Sequence, residues 1–569
     1  MRSRKALVNT IAGLSYELVA VICGFILPKL ILSKFGSSYN GMTSSITQFL
    51  GYVSLMRAGI GGVTKAALYK PLASGDNDKI SAIVNATEKF LKRVSLIFAI
   101  SLLVFAVIYP FFVSEDFEWF FSFTLVLILG ISTFAQYYFG VTYQLLLNAD
   151  QRQCVTSFVQ IGSTILNTII AAILIKLGSS IHVVKIGSAI VFSLNPIIIN
   201  MYVRKKYNIN KNIAPDNNAL SQRWDCFGLQ VANFVNSNTD MLLLTIFTNV
   251  YEVSVYTVYY MVTAGIRTFL LTFVNSIGAA FGNMFAKEEN EVIYENLRLY
   301  EQVTFSIANF LFSITAVMIL SFISVYTKGI TDVNYIRPAF SYILIIATLF
   351  SAYRIPYQSI VEVVGRFKET RNGAFFEAAM NIVISVALVN KFGLIGVAIG
   401  TLCATIFRTF QYASYMSKHI IKRSLWSLIK RLILSAVQFI IVLVFAHFLN
   451  FSQPNGYLEW ALQAFIVCLI TGFVTIVIEC AFYYDDLRLT VNKVIRVIIL
   501  KKKKISKRMK RRRKRKILTQ IWVYFNDGLF SKTKYSNLRL NLFLKNTQYF
   551  VRDKRKRRRR QNNFFNFGK

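Results

Sequence analysis

The stretch GYVSLMRAGIGGV, residues Gly51–Val63, sets Arg57 in the middle of an apolar segment. A guanidinium stays charged at any physiological pH, and placing one in hydrocarbon costs at least ~2.5–3.5 kcal/mol. Such a residue is kept where a helix bundle or a watery cavity solvates it. Outward from this stretch, apolar runs recur along the first 484 residues, each near the roughly 20 residues needed to cross a bilayer as helix. Hydrophobic residues make up 54% of the 569-residue chain and charged residues only 16%, where a soluble domain carries about 25% charged residues. The sequence specifies an all-α polytopic membrane protein.

Fourteen spans are expected, near 8–32, 41–67, 94–113, 119–147, 153–176, 183–203, 226–248, 252–285, 302–326, 338–364, 372–391, 394–416, 429–449 and 458–483. Lys and Arg collect in cytoplasmic loops, and here they collect in every second connection. Lys70, Lys79, Lys89 and Lys92 lie in one, Arg204–Lys206 and Lys211 in the next, and Arg366, Lys368 and Arg371 in a third. Lys418, Lys422, Arg423, Lys430 and Arg431 close the series. The alternate connections, such as SEDFE at Ser114–Glu118, are short and poor in basic residues. Both termini are therefore expected in the cytoplasm, and no outward loop is large enough to hold an enzyme domain.

An internal repeat runs beneath these spans. Tyr143-Gln144 followed by Arg152 returns as Tyr357-Gln358 followed by Arg366, an offset of 214. Leu166-Asn167-Thr168-Ile169-Ile170 returns as Met380-Asn381-Ile382-Val383-Ile384 at the same offset, and Gly187-Ser188 as Gly400-Thr401 at 213. Arg57 and Arg267 are 210 apart, within a turn of that register. Two parallel six-helix halves are expected, 1–210 and 220–420, with two further helices in 425–484 and a basic tail in 485–569. In carriers built this way the substrate sits between the halves.

Arg267 and Arg354 lie in other apolar spans at a depth similar to Arg57, and Arg408 lies a little nearer the cytoplasm. The planar fork of arginine offers paired donors to phosphate oxygens, so this set is the candidate diphosphate-binding group of a cavity. The competing reading is pairing: Glu17 with Arg57, and Glu377 with Arg354 or Arg408. Asp240, midway through the seventh span, is a candidate for coupling to H+ or Na+ or for a helix–helix hydrogen bond. Gln136, Gln160, Asn167 and Asn381 read as interhelical contacts, and Pro356 as a bend beside Arg354. The six cysteines form no CxxC or His/Cys cluster, and no catalytic or nucleotide-binding motif is present, so no metal site, cofactor or enzyme activity is expected.

The formal charge of +38 is concentrated at the C-terminus: from Asp485 onward there are 29 Lys and Arg against 4 Asp. The run KKKKISKRMKRRRKRK, Lys501–Lys516, is expected to be largely disordered and to lie on anionic lipid, at roughly 1 kcal/mol per basic residue near the surface. No other feature supports nucleic-acid binding.

The architecture resembles the oligosaccharide flippases of bacterial polysaccharide biosynthesis, in the multidrug/oligosaccharidyl-lipid/polysaccharide exporter superfamily. The stretches carrying the likeness are LPKLILSKFGSSYNGM (Leu27–Met42), NSNTDMLLLTIFTNVYEVSVYTVYYMV (Asn236–Val262) and the repeated YQxxxxxxxR pattern. The resemblance implies a V-shaped pair of six-helix lobes with alternating access and an undecaprenyl-diphosphate-linked oligosaccharide as substrate. It also implies a cation-lined cavity, a role carried here to Arg57, Arg267 and Arg354, and a lipid groove at the last two helices. Polysaccharide polymerase and glycosyltransferases would be partners in the bacterial cytoplasmic membrane. A drug/cation antiporter of the same fold would favour acidic cavity residues. A membrane-embedded polymerase would need catalytic carboxylates and a large extramembrane loop.

Overall fold

A computed structural model describes residues 2–54, 58–216, 238–285, 290–364, 366–421 and 423–489. Arg57, the first part of the 226–248 span and the tail from 490 onward lie outside these residues. The described body is helical throughout. A first set of helices comprises α1 (Arg2–Phe35), α2 (Ser37–Ser54), α3 (Ala58–Ser74), α4 (Asn77–Ile108), α5 (Trp119–Ala135), α6 (Val141–Ala149), α7 (Gln153–Lys176) and α8 (Ile181–Lys206). A second set comprises α9 (Asn238–Phe247), α10 (Val250–Phe285), α11 (Asn290–Tyr326), α12 (Pro338–Tyr353), α13 (Ile355–Val363), α14 (Phe367–Phe392) and α15 (Leu394–His419). Helices α16 (Trp426–Phe448) and α17 (Tyr457–Phe482) follow.

Among the described residues, eleven helices are long and apolar enough to cross a membrane. Of the other expected spans, 41–67 is α2 and α3 on either side of residues 55–57, 226–248 is described only from 238, and 252–285 is the continuous α10. The sequence explains why the outer surfaces are apolar. On α4, Leu96, Ile100, Leu103 and Val107 recur every three or four residues and are exposed, while Leu91, Val94, Phe98 and Leu102 on the other side are buried. That arrangement inverts the soluble pattern and suits a lipid environment. Helix α17 repeats it with Leu458, Leu462, Phe465 and Phe473 exposed.

Helix neighbours recur between the two sets. The pairs α3–α4, α4–α5, α5–α8 and α7–α8 of the first set correspond to α10–α11, α11–α12, α12–α15 and α14–α15 of the second. Corresponding spans are also interrupted near corresponding positions. A π-helical turn at Gln136–Gly140 separates α5 from α6, and a break at Arg354 separates α12 from α13. Pro356 accounts for much of the second break, since it has no N–H to offer the carbonyl four residues back.

The two sets meet along one polar seam. Ser37, Asn40, Gly41, Ser45 and Gln48 lie on one face of α2, spaced three or four residues apart. Asn40 Nδ2 donates to Ser254 Oγ at 2.9 Å, the hydroxyls of Ser45 and Thr245 are 2.8 Å apart, and Gln48 Nε2 donates to Asn238 Oδ1. At the outer limit of the seam, Ser37 N and Oγ both donate to Asp332, each at 2.6 Å, and Tyr335 donates to Ser37 Oγ at 2.7 Å. Gly41 sits where any Cβ would meet Val250 O at 1.7 Å, so α2 and α10 can touch only through a glycine here. Gly36, with φ +90°, makes the reversal from α1 into α2 and leaves room for the Asp332 carboxylate. These described contacts between the sets lie in the half of the bundle nearer Gly36.

At the opposite end, an ionic network ties α11 to the last helices. Arg423 pairs with Glu301, Arg431 donates to Gln302 at 2.6 Å, and Asp486 holds Arg298 at 2.7 Å and Arg431 at 3.6 Å. Glu301 is 1% exposed. Replacing it by alanine strands buried guanidinium charge, which costs about 3–5 kcal/mol. Glu301→Ala is therefore expected to lower the thermal unfolding temperature of the detergent-purified protein markedly, whereas Lys79→Ala, at an exposed surface pair, leaves it unchanged.

Candidate functional site

The candidate cations lie just beyond the closed seam. Arg267 is 17 residues along α10 from Val250, and Arg354 is 16 residues on from Pro338, so each sits roughly 24–26 Å down its span. Arg267 Nε donates to Ser351 Oγ at 3.2 Å. Ser351 lies three residues, about one helical turn, before Arg354. Both side chains are partly exposed.

Glu377, on α14 and buried, answers two arginines at once. Arg354 Nη1 donates to its Oε1 at 2.7 Å, and Arg408 Nε lies 3.3 Å from its Oε2. Arg408 is otherwise enclosed: it donates to Thr370 O and to the Tyr412 hydroxyl, both at 2.9 Å, and to Gln411, and stacks 4.2 Å above the Tyr412 ring. At 3% exposure it is built into the packing of α14 and α15. The pairing expected of Glu377 with Arg354 or Arg408 is thus made with both. Among the described residues, Glu377 is the one carboxylate ion-paired with this group of Arg267, Arg354 and Arg408.

Asp240 is buried between α9, α10, α14 and α15. Thr401 donates to its Oδ2 at 2.7 Å, Tyr256 to the same oxygen at 3.0 Å, and Asn381 Nδ2 to Oδ1 at 3.3 Å. Ser385 links this group to Val397 O and to Asn381. Asn381 is the interhelical contact the sequence suggested. Glu17, in contrast, is exposed on α1, and its expected partner Arg57 lies outside the described residues. Sequence reasoning did not single out the seam, although SSYNGMTSSITQ in Ser37–Gln48 is unusually polar for a membrane helix.

The helices are thus interrupted at matching positions of the two sets, with a polar seam toward the Gly36 end and the group of Arg267, Arg354, Glu377 and Arg408 elsewhere in the bundle. No family model and no curated protein sequence matches the chain. Among solved structures, the fold is similar to that of the lipid II flippase MurJ in its inward closed conformation. That match has a TM-score of 0.63 and 17% identity, covering 84% of this chain and 99% of that one. It is also similar to an inward-facing MATE family multidrug resistance transporter of the MOP superfamily, with a TM-score of 0.54 and 14% identity over 72% of this chain and 98% of the other. The eukaryotic MATE transporter AtDTX14 matches with a TM-score of 0.51 and 13% identity over 73% and 95%. The chain has the fold of these membrane transporters.

Proposed function

We propose that the protein is a non-enzymatic flippase that carries an undecaprenyl-diphosphate-linked oligosaccharide from the inner to the outer leaflet of a bacterial cytoplasmic membrane, for surface polysaccharide assembly. The observation that carries this reading is that Arg267, Arg354 and Arg408 gather around Glu377, the one carboxylate paired with them among the described residues. A diphosphate supplies the missing negative charge and matches the arginine fork. With both termini in the cytoplasm, the Gly36 end faces outward. The seam then seals the cavity from outside and leaves it accessible from the leaflet where lipid-linked sugars are made. Opening the seam and closing the opposite end completes the cycle. The basic tail would rest on anionic headgroups of the same leaflet.

Asp240 favours cation coupling within this reading. Its carboxylate and the Thr401 hydroxyl bonded to it are hard oxygen donors of the kind that hold Na+, with the Asn381 amide oxygen 3.4 Å from that hydroxyl, and the carboxylate alone can hold a proton. Asp240→Asn keeps the shape and removes the charge. It is expected to abolish the dependence of transport on an H+ or Na+ gradient in proteoliposomes while leaving the protein folded. A variant that still responds to both gradients as the parent does would exclude coupling at this residue.

The function itself is tested with purified protein in proteoliposomes loaded with an undecaprenyl-diphosphate-linked oligosaccharide, following the fraction of glycan that becomes accessible on the far side. Accelerated transfer of this substrate supports the proposal. Transport of cationic drugs without transfer of the lipid-linked glycan would establish the antiporter reading instead.

A further inference from the structure

A polar cavity lies within the first helix set, lined by residues of α1, α2, α5, α7 and α8. Its volume is about 410 Å³, within the range of small-molecule sites. Lys185 of α8 lines it together with Gln136, Asn167, Ser188 and Phe192. Lys185 is half-buried and has no hydrogen bond or ion pair among the described residues. Asn167 is 5% exposed, and its Oδ1 is buried with no hydrogen-bond partner. An unpaired ammonium in a membrane span is expensive, and a buried unpaired amide oxygen adds to the expense, so both groups await a partner that the described residues do not provide.

The repeat shows where this cavity comes from. Asn167 corresponds to Asn381 at an offset of 214, and Ser188 corresponds to Thr401 at 213. Those two second-half residues hold Asp240 together with Tyr256. At the 213 offset Asp240 itself falls on Leu27, which also lines the cavity. Lys185 falls on Ala398. The first-half cavity is therefore the counterpart of the Asp240 site with its charge reversed: the carboxylate is replaced by leucine, and a lysine is added.

We propose that this cavity binds an acidic sugar residue. Lys185 takes the carboxylate as a point charge, Asn167, Gln136 and Ser188 hydrogen-bond ring hydroxyls, and Phe192 packs against the apolar face of the ring. One ammonium among amides, hydroxyls and two aromatic rings suits a carboxylated monosaccharide better than a phosphate, for which Arg267 and Arg354 already provide paired forks. This inference rests on the glycan-carrier reading above and narrows its substrate class to glycans bearing a hexuronate or similar unit.

The test is equilibrium binding of radiolabelled glucuronate to the full-length protein in nanodiscs. Saturable binding is expected, weakened at least tenfold by Lys185→Met, largely kept by Lys185→Arg, and weakened by Asn167→Ala. Unlabelled glucose and inorganic phosphate are expected to compete at least tenfold less well than glucuronate. Monodisperse Lys185→Met that binds glucuronate as the parent does overturns the proposal, as does absence of binding to the parent. Phosphate competing as well as glucuronate reduces the site to a bare anion site and also overturns it. If Lys185→Met fails to fold, binding to Lys185→Arg and its loss in Asn167→Ala decide the matter. Binding requires no turnover, so its outcome is separate from that of the translocation assay.

Discussion

Arg267→Ala is expected to reduce translocation of a lipid-linked oligosaccharide by roughly ten- to a hundredfold, because a hydrogen bond to a charged group is worth about 1.5–3 kcal/mol. Arg354→Ala should do at least as much harm, since it also removes one of the two cations that Glu377 answers. Conservative variants separate charge from geometry: Arg267→Lys keeps the charge but not the fork, and partial recovery is expected. Arg408→Ala should behave differently. Its donors are committed inside the protein, so the expected result is loss of thermal stability and of protein in the membrane, with transport per folded molecule affected less. Full export by both Arg267→Ala and Arg354→Ala would refute the cavity assignment.

A disulfide across the seam should have the largest effect of all. Ser45 and Thr245 face each other with hydroxyl oxygens 2.8 Å apart, a separation compatible with a bridge between cysteines at both positions. In a background with the six native cysteines replaced, Ser45→Cys with Thr245→Cys is expected to lose nearly all transport on oxidation and regain it with reductant. Either single variant should be insensitive to oxidant. Continued transport with the bridge formed would mean that the two helix sets need not part along this line.

Much of this was legible in the sequence, for physical reasons that differ from place to place. Spans announce themselves because hydrocarbon penalises charge at every depth, so α4 and α17 needed no tertiary information. Glu377 was identifiable as a partner for arginine because an acid in an apolar span must be answered. Which arginine it answers was not readable, since 3.6-residue periodicity places Glu377 on a helix face without fixing the rotation of α12 or α15 against it. Arg408 looked equivalent to Arg354 for the same reason: both are cations in apolar spans, and only packing tells an enclosed one from one that borders a cavity. Asn167 and Asn381 occupy matching places in the repeat, yet one is satisfied and the other is not. The difference lies in Asp240 and Lys185, which come from other helices. Lys185 escaped notice because it stands near the start of its span, where a lysine ordinarily snorkels to the interface.

The composition of the seam sets an energy scale for the whole cycle. Its hydrogen bonds are mostly between neutral hydroxyls and amides, each worth a net ~0.5–1.5 kcal/mol. The four neutral ones therefore favour the closed arrangement by only a few kcal/mol, on the scale of the differential binding that moves a two-state equilibrium, and the two bonds from Ser37 to the Asp332 carboxylate add about 1.5–3 kcal/mol each. Because few full charges take part, salt should have little purchase on that balance. Burial pushes the Tyr335 hydroxyl up to about 12, so it keeps its proton, and its bond to Ser37, throughout the pH range of a living cell. In the proposed cycle the seam is thus a latch made mostly of weak bonds, which substrate binding would have to outweigh.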